Sequence, residues 1–359
     1  MTRNVSFVDG TDVRASSQPS RPTRPTISVI VPAYNAEASL GRCLSAIVAT
    51  LAPGDECIVV DAGSTDGSGE IAAAHGVEVL ALQGRQGPAG ARNRGARAAK
   101  GEVVFFVDAD VELLDETLER IARHFEDEVS DAVFGSYDDQ PSEPGLVSRY
   151  KNLFHHYIHQ TSERAANTFW AGCGAVRRSV FLELGGFDET YVEPSIEDIE
   201  LGYRLREAGH AIVLDRGIQA KHLKRWTLAN LVRTDIVCRG IPWCRLWLRR
   251  REMPRDLNTR GHHRLSALLM YLVVLSLLFA GGAGALGRLD VAKWGLLFAP
   301  LGLAAVVVLN LDLYRFFSRN SGPWFAIRAI PLHLAYYLYS GACLLWVLLT
   351  PGAGRPARR

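Results

Sequence analysis

The chain has 359 residues, with 40 Lys and Arg against 38 Asp and Glu for a net charge of +2, and 48% of it is hydrophobic. The length permits about two domains, and the near balance of charge excludes a nucleic-acid binder, which needs a marked basic excess. The apolar residues crowd into the last quarter, which excludes a purely soluble protein.

In chain order, residues 1–25 are rich in Ser, Thr, Pro and Arg and lack an apolar period. They are predicted as a disordered tail without a secretory leader. Short apolar runs at Ile27–Val31, Cys57–Val60, Val77–Leu82 and Val103–Val107 predict buried strands. Between them, Leu40, Cys43, Leu44 and Ile47 fall at helical spacing, and a helix is expected around Glu70–His75. Pro88–Lys100 reads as a further helix, with Pro near its start and Gly101 just past its end. Strands alternating with helices imply parallel βαβ units covered on both faces, an α/β nucleotide-binding layout. Next come a strand at Ala132–Tyr137, an amphipathic helix at Leu146–Arg164, and a helix at Glu197–Ala208 ended by Gly209.

Beyond the first domain, Trp226, Trp243 and Trp247 interleave with seven arginines from Arg245 to Arg264. Aromatic and basic residues beside a span predict amphipathic helices over 226–264, lying in the headgroup layer on the cytoplasmic side. Three spans are expected, at 265–287, 292–311 and 329–350, because uncharged runs there approach or exceed the roughly 20 residues that cross a bilayer. The arginines before the first span place that flank in the cytosol. An odd number of spans then puts the basic tail 352–359, with Arg355, Arg358 and Arg359, on the wrong side. Either the tail is an exception or one apolar run is re-entrant. Asn310 and Asp312 are expected to mark an interface. The six cysteines show no CxxC spacing and are expected to be reduced packing residues.

The chemistry-bearing motifs fall at strand ends. Asp108-Ala109-Asp110 closes the run Phe105-Phe106-Val107, so both carboxylates project to one side of the crevice where open α/β sheets bind ligands. Such a pair beside a diphosphate suits Mg²⁺ or Mn²⁺; alone, it is equally a pair of turn-forming aspartates. Asp61 follows the second strand and precedes the turn Gly63-Ser64-Thr65-Asp66-Gly67, where Asp66 is expected to cap the next helix. Arg92, in a small-residue helix start, is a possible partner for phosphate oxygens, whereas Arg94 and Arg97 are expected to face solvent. His222 is a possible extra metal or diphosphate contact. His155, His156 and His159 read as a polar face or acceptor lining, not a metal cluster. Glu197 and Asp198 also suit the first turn of a helix simply by complementing its dipole.

Taken in order, Val31-Pro32-Ala33-Tyr34-Asn35, the run from Val59 to Ser68, Gly87 to Ala96 and Phe106 to Asp110 resemble the nucleotide-sugar half of a family-two glycosyltransferase of the GT-A fold. The resemblance continues through Gly172-Cys173-Gly174, Gly185-Gly186-Phe187-Asp188 and Glu197-Asp198-Ile199-Glu200, covering about Ile27 to Trp226. It implies a Rossmann-like, mostly parallel GT-A domain over 26–225. It implies that Asp61 contacts the nucleoside, Asp108 the ribose or nucleotide and Asp110 the metal, with Asp198 as catalytic base; Pro32, Tyr34, Asn35 and Arg92 are further expected donor contacts, and His222 a further expected metal contact. Acceptor contacts are expected from Gly172, Cys173, Glu197 and Trp226. Gln219 stands six residues before Arg225, not the three of the QxxRW motif of processive synthases, which argues against processivity.

The expected function is inverting transfer of a hexose from a nucleotide sugar, UDP-sugar favoured, to a lipid-linked or membrane-proximal glycan acceptor. Mg²⁺ or Mn²⁺ is the expected cofactor, membrane lipids are expected partners, and the catalytic domain is placed on the cytoplasmic face of the cell membrane. The alternative is a non-catalytic GT-A scaffold of a polysaccharide assembly complex, which would need none of Asp61, Asp108, Asp110 and Asp198. A sugar-nucleotide-forming nucleotidyltransferase would instead carry a Gly-rich basic loop after the first strand, which Val31–Asn35 is not.

Overall fold

The structure, a computed structural model, describes residues 24–126, 130–250 and 261–350. The expected tail before residue 24, the basic tail 352–359 and the arginine-rich stretch 251–260 lie outside the described residues.

Strands and helices alternate at first: β1 (Ile27–Ala33), α1 (Glu37–Thr50), β2 (Glu56–Asp61), α2 (Ser68–Ala74), β3 (Glu78–Ala81), α3 (Pro88–Ala98) and β4 (Val103–Val107). The second half is less regular, with β5 (Val111–Leu113), α4 (Thr117–Glu126), β6 (Ala132–Tyr137), α5 (Leu146–Thr161), β7 (Cys173–Arg177), α6 (Arg178–Glu183), α7 (Glu197–Glu207) and β8 (Ile212–His222). All eight strands form one sheet in the order β3-β2-β1-β4-β7-β6-β8-β5. The strands β3, β2, β1 and β4 are mutually parallel, as are β6 and β8. Strand β7 runs antiparallel between β4 and β6, and β5 antiparallel to β8, so the sheet is mixed beyond its N-terminal half.

The continuous apolar strands are buried on both faces, and alternation decides which face each side chain serves. In β4, Val103, Phe105 and Val107 enter the core under α1 and α4, while Val104 and Phe106 enter the core under α3 and α7. Helix α1 buries Leu40, Cys43, Leu44 and Ile47, the set its spacing predicts. The small residues of α3 let it lie close on the sheet: a Cβ on Gly95 would come within 2.5 Å of Ile30 Cγ2. All six cysteines are unpaired.

The C-terminal region comprises α8 (Leu228–Arg233), a π-helical turn (Thr234–Gly240), α9 (Ile241–Arg250), α10 (Gly261–Ala285), α11 (Leu289–Leu309), α12 (Leu311–Ser321) and α13 (Pro323–Leu349). Helices α10, α11 and α13 are long and apolar enough to cross a membrane. Several expectations are corrected here. Trp226 is buried against Ser148, not set in a headgroup layer. Asn310 is 4% exposed and bonded to Ser266 Oγ and Tyr337 OH between helices. The charged stretch after α11 is the amphipathic helix α12, whose Tyr314 and Phe317 pack with Tyr150 and Phe154 of α5.

Candidate active site

Parallel pairing brings the carboxyl ends of β1, β2 and β4 to one edge, with Ala33 beside Asp61. Asp61 Oδ1 accepts the Ser64 backbone N–H at 2.8 Å, which shapes the turn that follows β2. Asn35 adopts φ 48°, a left-handed conformation its short polar side chain tolerates, and its Oδ1 accepts the Thr65 backbone N–H at 2.8 Å. Asn35 thus stitches the first two loops together. Tyr34 is exposed with the Arg85 guanidinium 5.2 Å from its ring, and Pro32 is half-buried. Asp66 serves two helix starts, accepting from the Ser68 N–H and from the Glu37 N–H.

The chain beyond β4 carries Asp108 and Asp110 into β5, which pairs with the end of β8 so that Val111 faces His222. This pairing sets His222 Nε2 3.7 Å from Asp110 Oδ2, with Lys224 Nζ at 4.0 Å from the same oxygen. Burial raises the proton affinity of Asp110, but its neighbours His222 and Lys224 outweigh it and hold the carboxyl down at about 2. Burial pushes Asp108 the other way, above the usual carboxylate range, despite its partner Arg92.

Arg92 is 5% exposed and divides its guanidinium between two acids, Asp108 Oδ1 at 2.6 Å and Glu197 Oε1 at 2.8 Å. It is therefore not a free cation awaiting a phosphate. Glu197 is equally enclosed, and its other oxygen accepts the Ser195 N–H, so it faces the protein and not an acceptor. The next residue, Asp198, accepts the Ala171 N–H at 3.2 Å and the Ile199 N–H at 2.8 Å. Burial and the neighbouring Glu197 charge raise its carboxyl to about 7, with Arg92 pulling the other way. The first turn of α7 thus holds one acid committed to an ion pair and one poised to exchange a proton near neutrality.

Gly172 contributes a carbonyl to the Asp108 N–H, and Cys173 is wholly buried on β7, where burial and Asp108 push its thiol up to about 12. Neither presents a side chain to the crevice. The aromatic surface beside them belongs to residues that the motif analysis did not single out. Trp170 lies 4.8 Å from Tyr137 between ring centroids and 4.7 Å from His155, and Tyr137 stacks on His222 at 4.2 Å. His156 and His159 are buried and bonded to the Tyr137 and Gly135 carbonyls, which makes them structural and not a polar face. Trp226 receives Lys224 Nζ 4.8 Å above its ring. Arg94 and Arg97 face solvent as expected.

The sequence pattern described as glycosyl transferase family 2 matches residues 28–185. Glycosyltransferase GlyG of Streptococcus pneumoniae serotype 4 is 37% identical over 116 residues, 31% of this chain and 38% of GlyG. Glycosyltransferase AglE of Haloferax volcanii is 27% identical over 56% of this chain and 68% of its own. Pre-mycofactocin glycosyltransferase of Mycobacterium tuberculosis is 32% identical over 53% of this chain and 41% of its own. The chain thus spans well under two thirds of the first and third of these relatives. Among solved structures, mannosyltransferase PcManGT from Pyrobaculum calidifontis, in complex with GDP-Man and Mn²⁺, superposes with a TM-score of 0.55 at 19% identity, over 92% of this chain and 89% of that one. Residues 28–185 thus match the family-two glycosyltransferase pattern, and the fold is of the GT-A kind, followed by apolar C-terminal helices.

Proposed function

We propose that the chain is an inverting, metal-dependent glycosyltransferase that moves a hexose from a nucleotide sugar, UDP-sugar favoured, to a lipid-linked or membrane-proximal glycan acceptor. The observation that carries this is the placement of Asp198 beside the strand end that bears Asp108 and Asp110: its neighbour Glu197 shares Arg92 with Asp108, and the consecutive residues Ala171 and Gly172 bond to Asp198 and Asp108. Pro32, Tyr34, Asn35 and Asp61 line the nucleoside end, and Asp108, oriented by Arg92, meets the ribose.

The residues at the other end of the pair fit a divalent cation. Asp110 stays anionic and His222 faces it, a carboxylate and an imidazole that Mg²⁺ or Mn²⁺ accepts. Among the described residues no cluster of three or more His, Cys, Asp or Glu forms a complete cage. That suits an ion whose remaining positions go to substrate phosphates and water. When bound, such an ion neutralises charge on the departing diphosphate.

Asp198, as carboxylate, takes the proton of the acceptor hydroxyl while that oxygen forms its bond to C1 and the C1–diphosphate bond breaks on the opposite face. The Ala171 and Ile199 N–H groups fix its oxygens, so it is oriented before the acceptor arrives. Half-buried Trp170, in place of Gly172, Cys173 and Glu197, offers the apolar face an acceptor sugar ring packs on, backed by Tyr137. The catalytic domain lies on the cytoplasmic side of the cell membrane, as the arginines before α10 support.

The test is calorimetric titration of the purified full chain with UDP-, GDP-, dTDP- and CMP-sugars, with and without Mn²⁺. One donor binding only in the presence of metal supports the proposal; binding of none by folded protein refutes it.

A further inference from the structure

We infer that α13 does not cross the membrane but lies along its surface, apolar outer face in the headgroup–acyl boundary, so that the α10–α11 hairpin alone spans and Thr350, at the end of α13, sits on the catalytic side. By length α13 could cross, since its 27 residues exceed the roughly 20 required. Its contacts forbid it. Near its start Phe325 meets Arg149 of α5, and in its middle His333 and Tyr336 pack on Phe154 of the same helix. Farther on, Tyr339 OH donates to Asp235 Oδ2 at 2.7 Å, and the other Asp235 oxygen holds Lys151 of α5 at 2.6 Å. Near its end, Cys343 and Val347 pack with Cys244 of α9.

From Phe325 to Val347 is about 33 Å of helix, as much as the hydrocarbon core is thick. A crossing would carry Val347 to the far side and drag α9 with it. Helix α9 is tied to the catalytic domain instead: Arg250 pairs with Glu200 and Glu207 of α7, and Trp243 Nε1 donates to Tyr203 OH at 3.4 Å. A crossing would also put Arg239 and Arg249 at hydrocarbon depth, where cations are strongly disfavoured.

The opposite face of α13 exposes Trp324 and Ile327 near its start and Leu345, Trp346 and Leu349 near its end, apolar and aromatic groups on either side of a middle covered by Tyr271 of α10, as suits an in-plane helix. Helices α10 and α11 behave differently. They meet α13 toward their membrane-proximal ends, through His263, Val306 and Asn310 at Tyr337 and Tyr271 at Leu338 and Gly341. From Tyr271 to Ala285, α10 projects about 21 Å further, packed closely on α11, where a Cβ on Gly295 would meet the Ser276 carbonyl at 2.4 Å. With the apolar face of α13 sunk about 5–10 Å into the boundary, that projection reaches close to the roughly 30 Å of a crossing. The basic residues after Thr350 then return to the side of the other arginines, which removes the conflict with charge bias along the sequence.

The experiment is cysteine labelling in sealed membrane vesicles with a membrane-impermeant maleimide, in a Cys238→Ser background, since the other five cysteines are buried. Ala74→Cys on α2 reports the catalytic side, Arg288→Cys the hairpin tip, and Thr350→Cys the end of α13. We expect Thr350→Cys to label together with Ala74→Cys and opposite to Arg288→Cys. Labelling of Thr350→Cys together with Arg288→Cys overturns the inference. A reporter fused after Thr350 in the unsubstituted chain, fluorescent only in the cytosol or phosphatase-active only outside it, gives the same decision should a cysteine variant misfold.

Discussion

His222 and Asp110 face each other at 3.7 Å from distant points in the chain, because β5 carries the second aspartate of the strand-end pair alongside the last residues of β8. The geometry supports shared metal and diphosphate binding by the two residues. Replacing His222 by Ala is expected to raise the Mn²⁺ concentration needed for half-maximal turnover about 10–100-fold, with little change in folding. A metal titration of activity checks this, and an unchanged requirement would return His222 to a stacking role on Tyr137.

Arg92 is enclosed between two acids, and its loss leaves Asp108 and Glu197 facing each other without a cation. Removing one member of a buried charge network costs about 3–5 kcal/mol. Arg92→Ala is therefore expected to lower the denaturation midpoint sharply, and Arg92→Lys, with one ammonium for two acids, to recover part of it. Chemical denaturation of the two variants side by side reads the difference.

Asp198 links activity and stability to pH in opposite directions. As the base it must be ionised, so transfer should rise with pH through about 7 and fall away below it. Its folded-state proton affinity is raised above the ordinary carboxylate value, so the folded state holds a proton the unfolded chain releases, and its contribution to stability declines as pH climbs from about 4 to 7. Asp198→Asn should abolish transfer yet raise the melting temperature at pH 8, where the wild type carries the buried charge. A melting temperature at pH 8 no higher than wild type would show that Asp198 is not strained by ionisation.

Asp235 holds Lys151 on one oxygen and Tyr339 on the other. Asp235→Ala strands a buried ammonium and should cost about 3–5 kcal/mol, whereas Tyr339→Phe loses one hydrogen bond to a charged group, about 1.5–3 kcal/mol. Limited proteolysis of the α12–α13 corner at Gly322 should accelerate in the first variant more than in the second.

The N-terminal half of the fold was legible because β1, β2 and β4 are short, mostly apolar runs, a pattern that buried parallel strands impose, whereas β3, at the sheet edge, carries Glu78 and is partly exposed. The catalytic-domain elements that escaped, β5, α4, β7, α6 and β8, lack that contrast. Strand β8 mixes Asp215, Arg216, Gln219 and Lys221 into its apolar positions, since one face of it is open. The aspartates of the site stood out through their positions at strand ends. The partnering of Arg92 with Glu197 did not, because a lone sequence carries no sign of which distant acid a buried guanidinium meets. Trp170 was equally silent: its role comes from Tyr137 and His155, which the fold brings beside it. Helix α13 shows the limit most clearly, since its composition suits a span and only its contacts with α5 and α9 argue otherwise.

The most direct test of the account is sugar transfer in membranes containing wild-type chain, Asp110→Ala or Asp198→Asn, with donor binding measured on the same preparations. The account predicts that Asp198→Asn binds donor and metal as the wild type does but transfers nothing, and that Asp110→Ala loses metal-dependent donor binding. Undiminished transfer by both variants would contradict it and leave the GT-A domain a scaffold.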